Sequence, residues 1–469
     1  MASSYPPVPL GSRFTCALAT LDRSEGLSFG QAVLEQEVQQ AADAEGLHFG
    51  TDEDCVYTRA VTLWAFLHQV LSGSKSCVAA VARVMVLRAV LELPMCSAGT
   101  GAYCKARTKL SETFLQRLTY DIGTATEDQA PASWRWQQRR VLLVDGFEVT
   151  LPDTPANQAV YPQPKSQKPG LGFPLVRAVV LLTFATAAVV GLAFGPHQGK
   201  ETGETALFRQ LLDRLRPGDV IVADRYYCSY FMIALLRAHG VDVVFRLHQR
   251  RNYDFRRGQR LGSSDHIVTW TKPARPDWLD TETYARLPDT LTLRELRVMV
   301  TQPGYRSREI VVATSLVDAA RYAKSAIADL YQQRWHAELD IRAIKQTLCM
   351  EHLSCKTPAM VRRELWVHFL GYNAVRRMLA EAARVHGLCP RQLSFAGAVQ
   401  TLEAFRWLLA FAAPERRREI QGIALLAIAT HRVGNRPGRC EPRCRKRRPK
   451  AYPLLTKPRA EARAKLLNR

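Results

Sequence analysis

Two continuous apolar runs each lead straight into a carboxylate: Val141-Leu142-Leu143-Val144 into Asp145, and Val220-Ile221-Val222-Ala223 into Asp224. Such runs read as buried strands, and a carboxylate ending a strand sits at the rim of a sheet. If the two strands are neighbours, the acids converge, and their repulsion is costly unless a cation lies between them. A hard divalent ion such as Mg²⁺, which takes oxygen ligands, suits that geometry. Either aspartate taken alone is better read as a residue that starts a turn.

A third acid lies further along. The stretch Asp329 to Leu348 reads as one helix carrying Tyr331, Arg334, Glu338 and Lys345, with offsets of three, seven and fourteen residues from the tyrosine. At about 100° per residue these four fall within an arc of roughly 60°, so they share one face. Beside that arc Leu330, Ala337, Ile341, Ile344 and Leu348 form an apolar stripe by which the helix packs on a sheet. On such a face Glu338 suits a metal ligand, Arg334 and Lys345 suit phosphate oxygens, and Tyr331 supplies a hydrogen bond. A solvated helix with a Glu-to-Lys charge pattern has the same stripe.

These residues need elements to position them. Residues 1 to about 55 form a polar entry segment with a weak helical stretch around Gln31 to Ala44. Apolar spacing then predicts two helices over Arg59 to Arg88, broken at Gly73 and Ser74, and a further helix over Tyr103 to Leu118 that opens with Lys105, Arg107 and Lys109. Helix, turn and basic helix is an arrangement that presents side chains to a DNA groove, and equally a plain solvated face. From Arg139 to about Leu247 strands alternate with helices (Ala206 to Leu215, Phe231 to His239), an α/β texture. Between about Arg250 and Thr314 short strands (Ile267 to Trp270, Leu293 to Val300, Ile310 to Ala313) predict a β-rich insertion. Helix resumes from Ala319 to Leu348, Val361 to His386 and Phe395 to Phe411. The division is therefore 1–138, 139–250, 251–315, 316–390 and 391–469.

Composition sets the partner class. The 469 residues carry 65 Lys plus Arg against 43 Asp plus Glu, a formal charge of +22, which points to a polyanion, although a ribosomal or membrane surface is anionic too. Eleven cysteines without a regular framework, and no secretory leader after Met1, suggest a reducing cytosol. The apolar run Ala178 to Phe194 is nearly long enough to span a bilayer, but its β-branched halves and central small residues read as two adjacent buried strands.

With these motifs in order, the chain resembles the insertion sequence four family of cut-and-paste transposases. The family's tyrosine, arginine, glutamate and lysine signature matches Tyr331, Arg334, Glu338 and Lys345. Its first two acidic motifs look like VLLVDGFEV around Asp145 and VIVADRYY around Asp224, and the resemblance takes in GAYCKAR at Gly101 to Arg107 and the tail RKRRPKAYPLLTKPR. It implies an α/β RNase H-like catalytic core with a β-rich insertion, flanked by helical N-terminal and C-terminal regions. The N-terminal region, with Lys105 and Arg107, would recognise DNA. It further implies a DDE site in which Asp145, Asp224 and Glu338 hold two Mg²⁺ (or Mn²⁺) ions for in-line attack on phosphate, first by water and then by a DNA 3′ hydroxyl. The partners would be transposon-end DNA and target DNA. A homodimer would hold the ends, in the bacterial cytoplasm and nucleoid, with no membrane and no small-molecule substrate. Related hairpin-forming enzymes stack an aromatic residue of the insertion on a flipped base, for which Trp270 and Trp278 are the candidates. A nuclease or resolvase of the same fold, and an inactive DNA-binding relative, are the competing expectations.

Other signals weigh less. Gly195 to Lys200 (GPHQGK) approximates a phosphate loop with its second glycine one position early. Cys440 and Cys444 have zinc-like spacing without a second ligand pair. His197 and His336 could serve acid-base chemistry, which two-metal phosphate cleavage does not need. The basic segment Arg443 to Lys450 would add salt-dependent phosphate contacts.

Overall fold

A computed structural model describes residues 35–52, 54–72, 74–299, 309–434 and 453–467. The chain forms two compact units, one built from 1–134, 185–190 and 340–433, the other from 135–184, 191–339 and 434–469.

The second unit contains the sheet except for two strand residues, Val189 and Val190, which belong to the first. Its strands are β1 (Val141–Thr150), β2 (Leu175–Thr183), β3 (Val189–Pro196), β4 (Val220–Ala223), β5 (Asp242–Arg246), β6 (Gln259–Gly262), β7 (Asp265–Thr271), β8 (Thr290–Met299) and β9 (Glu309–Thr314). Among the described residues they lie in the order β3-β2-β1-β4-β5-β9-β8-β7-β6. β1 runs antiparallel to β2 and parallel to β4, and β4 parallel to β5. This is the RNase H-like α/β arrangement. The sequence of β4, Val-Ile-Val-Ala, is buried throughout, as expected of a parallel strand covered on both faces.

The strands between residues 259 and 314 do not form a sheet of their own. β9 pairs antiparallel with β5, and β8, β7 and β6 follow in antiparallel order, so this segment lengthens the core sheet. The edge strand β6 and the short helix Thr281–Arg286 had no signal in the hydrophobic pattern. A buried ion pair ties β7 to β8: Arg294 Nε and Nη2 donate to Asp265 at 2.7 and 2.5 Å, and Arg294 Nη1 donates to the Tyr322 carbonyl at 2.6 Å.

The first unit is helical. The helix Pro358–Val385 is buried along most of its length and packs on Glu112–Asp128. Between them, Asn373 accepts the Val189 N–H at 2.8 Å and donates to the carbonyls of Thr119 and Val189 at 2.8 and 2.9 Å. Gly123 permits that approach: a Cβ there would stand 2.2 Å from the Val189 carbonyl oxygen. Asp340 is buried and pinned by Arg376 and, at 2.9 Å, by Arg391. A helix at Pro414–Thr430, unsignalled in the sequence reading, completes the unit.

Three expectations are corrected here. The helix read over Tyr103 to Leu118 is two, Gly101–Lys109 and Glu112–Asp128, because Ser111 turns extended and its side chain caps the Phe114 N–H at 3.1 Å. Ala206 to Leu215 is a helix at Glu204–Arg209 followed by a 3₁₀ turn at Leu212–Arg214. The single helix over Asp329 to Leu348 is broken into Lys324–Gln332, Trp335–Arg342 and a π-helical turn at Ala343–Thr347. At the break, Arg334, His336 and Ala337 donate to carbonyls three residues back, tightening the winding that the π turn then loosens. The common-face arc calculated for an unbroken α-helix therefore does not apply across Tyr331 to Lys345. The apolar run at Ala178 to Phe194 forms the end of β2 and the start of β3, and no described helix is long and apolar enough to cross a membrane. Gln31, Gly73, Val300, Cys440, Cys444 and Arg443 to Lys450 lie outside the described residues.

Candidate active site

β1 and β4 are parallel neighbours in the register Val141 to Val220, Leu142 to Ile221 and Leu143 to Val222. Asp145 and Asp224 therefore stand at equivalent places, each two residues beyond the last paired row. β4 stops there, and Asp224 opens a turn in which its Oδ1 accepts the Tyr226 N–H at 2.8 Å. β1 does not stop, contrary to the sequence expectation. It continues to Thr150 because β2 keeps pairing with it, Asp145 opposite Val180 and Thr150 opposite Leu175. Asp145 thus marks where β1 loses one neighbour and keeps the other, leaving a gap in the sheet on the β4 side.

Arg334 brings the third acid to this gap. Its guanidinium lies 3.5 Å from Asp145 Oδ2 and donates to Glu338 Oε1 at 2.6 Å. Burial pushes the Asp145 carboxyl up to about 6; Arg334 and the Gly146 N–H oppose this, and the charges of Asp224 and Glu338 reinforce it. Burial works against the charge on Arg334, but Tyr331, Glu338 and Asp145 more than offset it and hold the guanidinium cationic. Tyr331 is itself buried, and burial keeps its phenol protonated well above the ordinary range.

Two further groups, which the sequence reading did not single out, complete the surroundings. Glu204 is held above its usual range by burial and by the nearby Asp224 charge, with Arg177 opposing. Tyr227 is fully buried and donates to Glu204 Oε2 at 3.4 Å. Tyr227 lies inside VIVADRYY, so its neighbourhood was marked. Glu204 follows a loop and carries no local signal.

The chemistry of the donor set fits a hard cation: carboxylate oxygens in a partly buried gap, whose charges reinforce one another at Asp145. As arranged, no three acid, histidine or cysteine groups among the described residues already converge closely enough to hold an ion. The Arg334 guanidinium lies between Asp145 and Glu338.

The remaining candidates divide clearly. Lys345 lies in the π turn, within the helical unit. Lys105 is exposed on Gly101–Lys109, whereas Arg107 on the same helix turns inward, donates to Gln69 Oε1 at 2.9 Å and lies over the Phe66 and Tyr103 rings. Trp270 is 4% exposed, donates its indole N–H to Glu295 at 2.9 Å and is covered by Arg251, so it serves the core. Trp278 is 36% exposed, with Arg209 over its ring at 3.9 Å. His197 contacts Glu148 at 2.5 Å and Arg177 at 3.1 Å, and His336 is bonded to Gln333 at 2.7 Å. The GPHQGK segment runs from the end of β3 into a loop.

Comparison with known proteins decides the family. The model for the transposase DDE domain matches residues 136–374, about half of the chain and the whole stretch from β1 past Glu338. The chain belongs to the transposase DDE domain family. This DDE transposase is 29% identical over 364 residues to "Transposase InsG for insertion sequence element IS4" of Escherichia coli (strain K12), covering 76% of the chain and 78% of that relative. A cryo-EM structure titled as a piggyBac transposase synaptic complex with hairpin DNA aligns with 92% of the chain and 90% of its own at 11% identity, with a TM-score of 0.39. The RNase H-like core of this DDE transposase, and its class as a DNA transposase, agree with the family.

Proposed function

We propose that this transposase excises an insertion sequence and joins it to target DNA, by phosphodiester hydrolysis followed by transesterification at one site made of Asp145, Asp224 and Glu338. The observation that carries the reading is the convergence of Asp145 and Asp224 on adjacent parallel strands, with Arg334 linking Asp145 to Glu338. The three carboxylates would hold two Mg²⁺ or Mn²⁺ ions, which when bound neutralise the attacking and leaving oxygens. Arg334 balances part of the acidic charge before DNA arrives and pairs with a phosphate afterwards, a task suited to a guanidinium. Tyr331, buried beside it, fixes the position of Arg334. Lys345 and Lys105 add phosphate contacts, and Arg107 supports the helix that presents Lys105.

In this reading residues 1–138 recognise DNA, 139–250 and 316–390 make the catalytic core, 251–315 form the β-rich insertion and 391–469 a helical region with a basic tail. The net charge of +22 supports DNA ends and target DNA as partners. Two copies of the chain would hold two ends, in the bacterial cytoplasm and nucleoid. Trp278, the more exposed of the two candidate tryptophans, is the one to stack on an extruded base.

The test uses purified protein, a supercoiled plasmid carrying the element's own terminal repeats, Mg²⁺ or EDTA, and a Glu338→Ala variant. Excision and joined products that need both the ion and Glu338, with end binding retained in the variant, are expected. Cutting that ignores the terminal repeats would indicate a nuclease, and end binding without cutting an inactive relative.

A further inference from the structure

Glu204 begins the short helix Glu204–Arg209, yet its carboxyl group reaches the backbone of β1. Its Cδ lies 2.4 Å and its Oε1 2.7 Å from where a Cβ on Gly146 would stand. Residue 146 directly follows Asp145, so the missing side chain leaves the space that this carboxylate fills. On its other side the hydroxyl of Tyr227, three residues beyond Asp224, donates to Glu204 Oε2 at 3.4 Å. One contact comes from the residue that follows Asp145 and the other from the turn after Asp224, and together they fix the position of Glu204, on which the Asp224 charge acts.

The contrast with Glu148, also on β1, shows what is unusual. Glu148 is ion-paired with Arg177 at 2.9 Å and hydrogen-bonded to His197 at 2.5 Å. Glu204 makes no ion pair among the described residues, although it is mostly withdrawn from water next to further acids. A carboxylate in that position is costly unless something cationic is shared with its neighbours.

We propose that Glu204 is a fourth carboxylate of the catalytic centre, binding a divalent cation together with Asp145 and Asp224, with Gly146 and Tyr227 as its positioning residues. The proposal rests on the reading of Asp145 and Asp224 as cation ligands. It assigns a role to the first residue of the helix after β3, which the DDE motifs around Asp145, Asp224 and Glu338 do not include.

The experiment is a calorimetric titration of Mn²⁺ into the full chain and into Glu204→Gln, Glu204→Asp, Tyr227→Phe and Asp224→Asn, alongside plasmid excision measured over a range of Mn²⁺ concentrations. Glu204→Gln keeps the shape of the side chain and is expected to weaken Mn²⁺ binding at least about tenfold. Its excision should recover as Mn²⁺ is raised, and binding to terminal-repeat DNA in EDTA should be unchanged. Glu204→Asp and Tyr227→Phe should fall between Glu204→Gln and the parent. If Glu204→Gln, or Glu204→Asp should the former not fold, binds Mn²⁺ like the parent while Asp224→Asn has lost binding, the role of Glu204 is refuted and the aspartate reading stands. If Asp224→Asn also binds like the parent, both fall together.

Discussion

Asp145 is kept from water while its carboxyl is held up at about 6 against an ordinary 3.8. The native chain therefore binds this proton more tightly than the unfolded one. The associated stability is complete below the ordinary value and is lost as pH rises through 6. Asp145→Asn carries no charge at any pH, so in EDTA it should stabilise the protein above pH 6 by about 1–3 kcal/mol. Thermal melts from pH 4 to 8 read this directly; a variant no more stable than the parent at pH 8 would contradict it. Asp145 and Asp224 were the most legible candidates in the sequence, because an apolar strand leading into an aspartate announces itself locally. Glu204 was not legible, since what fixes it is the absence of a side chain at Gly146 and a hydroxyl on Tyr227, neither of them near it in the chain. The two tryptophans were likewise equivalent on paper. Only the partners of Trp270, a carboxylate on its indole and a guanidinium on its face, mark it as a core residue.

At the level of elements, nothing in Lys324 to Leu348 warns of the breaks, for the segment holds neither glycine nor proline. The tight turn at Arg334 and the π turn after Arg342 answer to tertiary contacts, which periodicity does not register. The continuation of β1 past Asp145 is similar: β2 decides it, and β2 lies 30 residues downstream of Asp145 at its first residue, Leu175. The pair Arg294 and Asp265 shows how a polar element can be needed without being favourable in itself. Arg294→Met leaves Asp265 buried without its cation and should cost about 3–5 kcal/mol, whereas Arg294→Met with Asp265→Leu should recover most of the loss. Urea unfolding of the parent, the single and the double variant would show it, and a single variant within about 1 kcal/mol of the parent would refute it.

For the whole molecule, the sequence reading reached the α/β core, the later strands and the flanking helices, but not the continuity of one sheet from β3 to β6. That continuity depends on β9 pairing with β5 across an intervening run of more than 60 residues, a contact without any local trace. Stability of the helical unit should depend on acidity through His368, which is wholly buried and whose imidazole burial pulls down to about 4 from 6.5. Its Nδ1 is bonded to the Glu364 carbonyl at 2.8 Å, while its Nε2 has no partner to receive a second proton's charge. The unfolded chain takes up that proton below pH 6.5 and the native chain only near 4, so stability present above 6.5 is lost as pH falls through 4. His368→Leu should remove about 2–3 kcal/mol of that fall between pH 7 and 4.5; an unchanged acid limb in chemical denaturation would argue against it. Both units also recruit chain from either side of the junction between β8 and β9: helices at Arg59–Leu71 and Pro358–Val385 in one, β5 and β9 in the other. A gene divided at that junction would thus encode two half-proteins, neither holding a complete unit, and transposition should return only when both halves are made in the same cell and assemble as they fold.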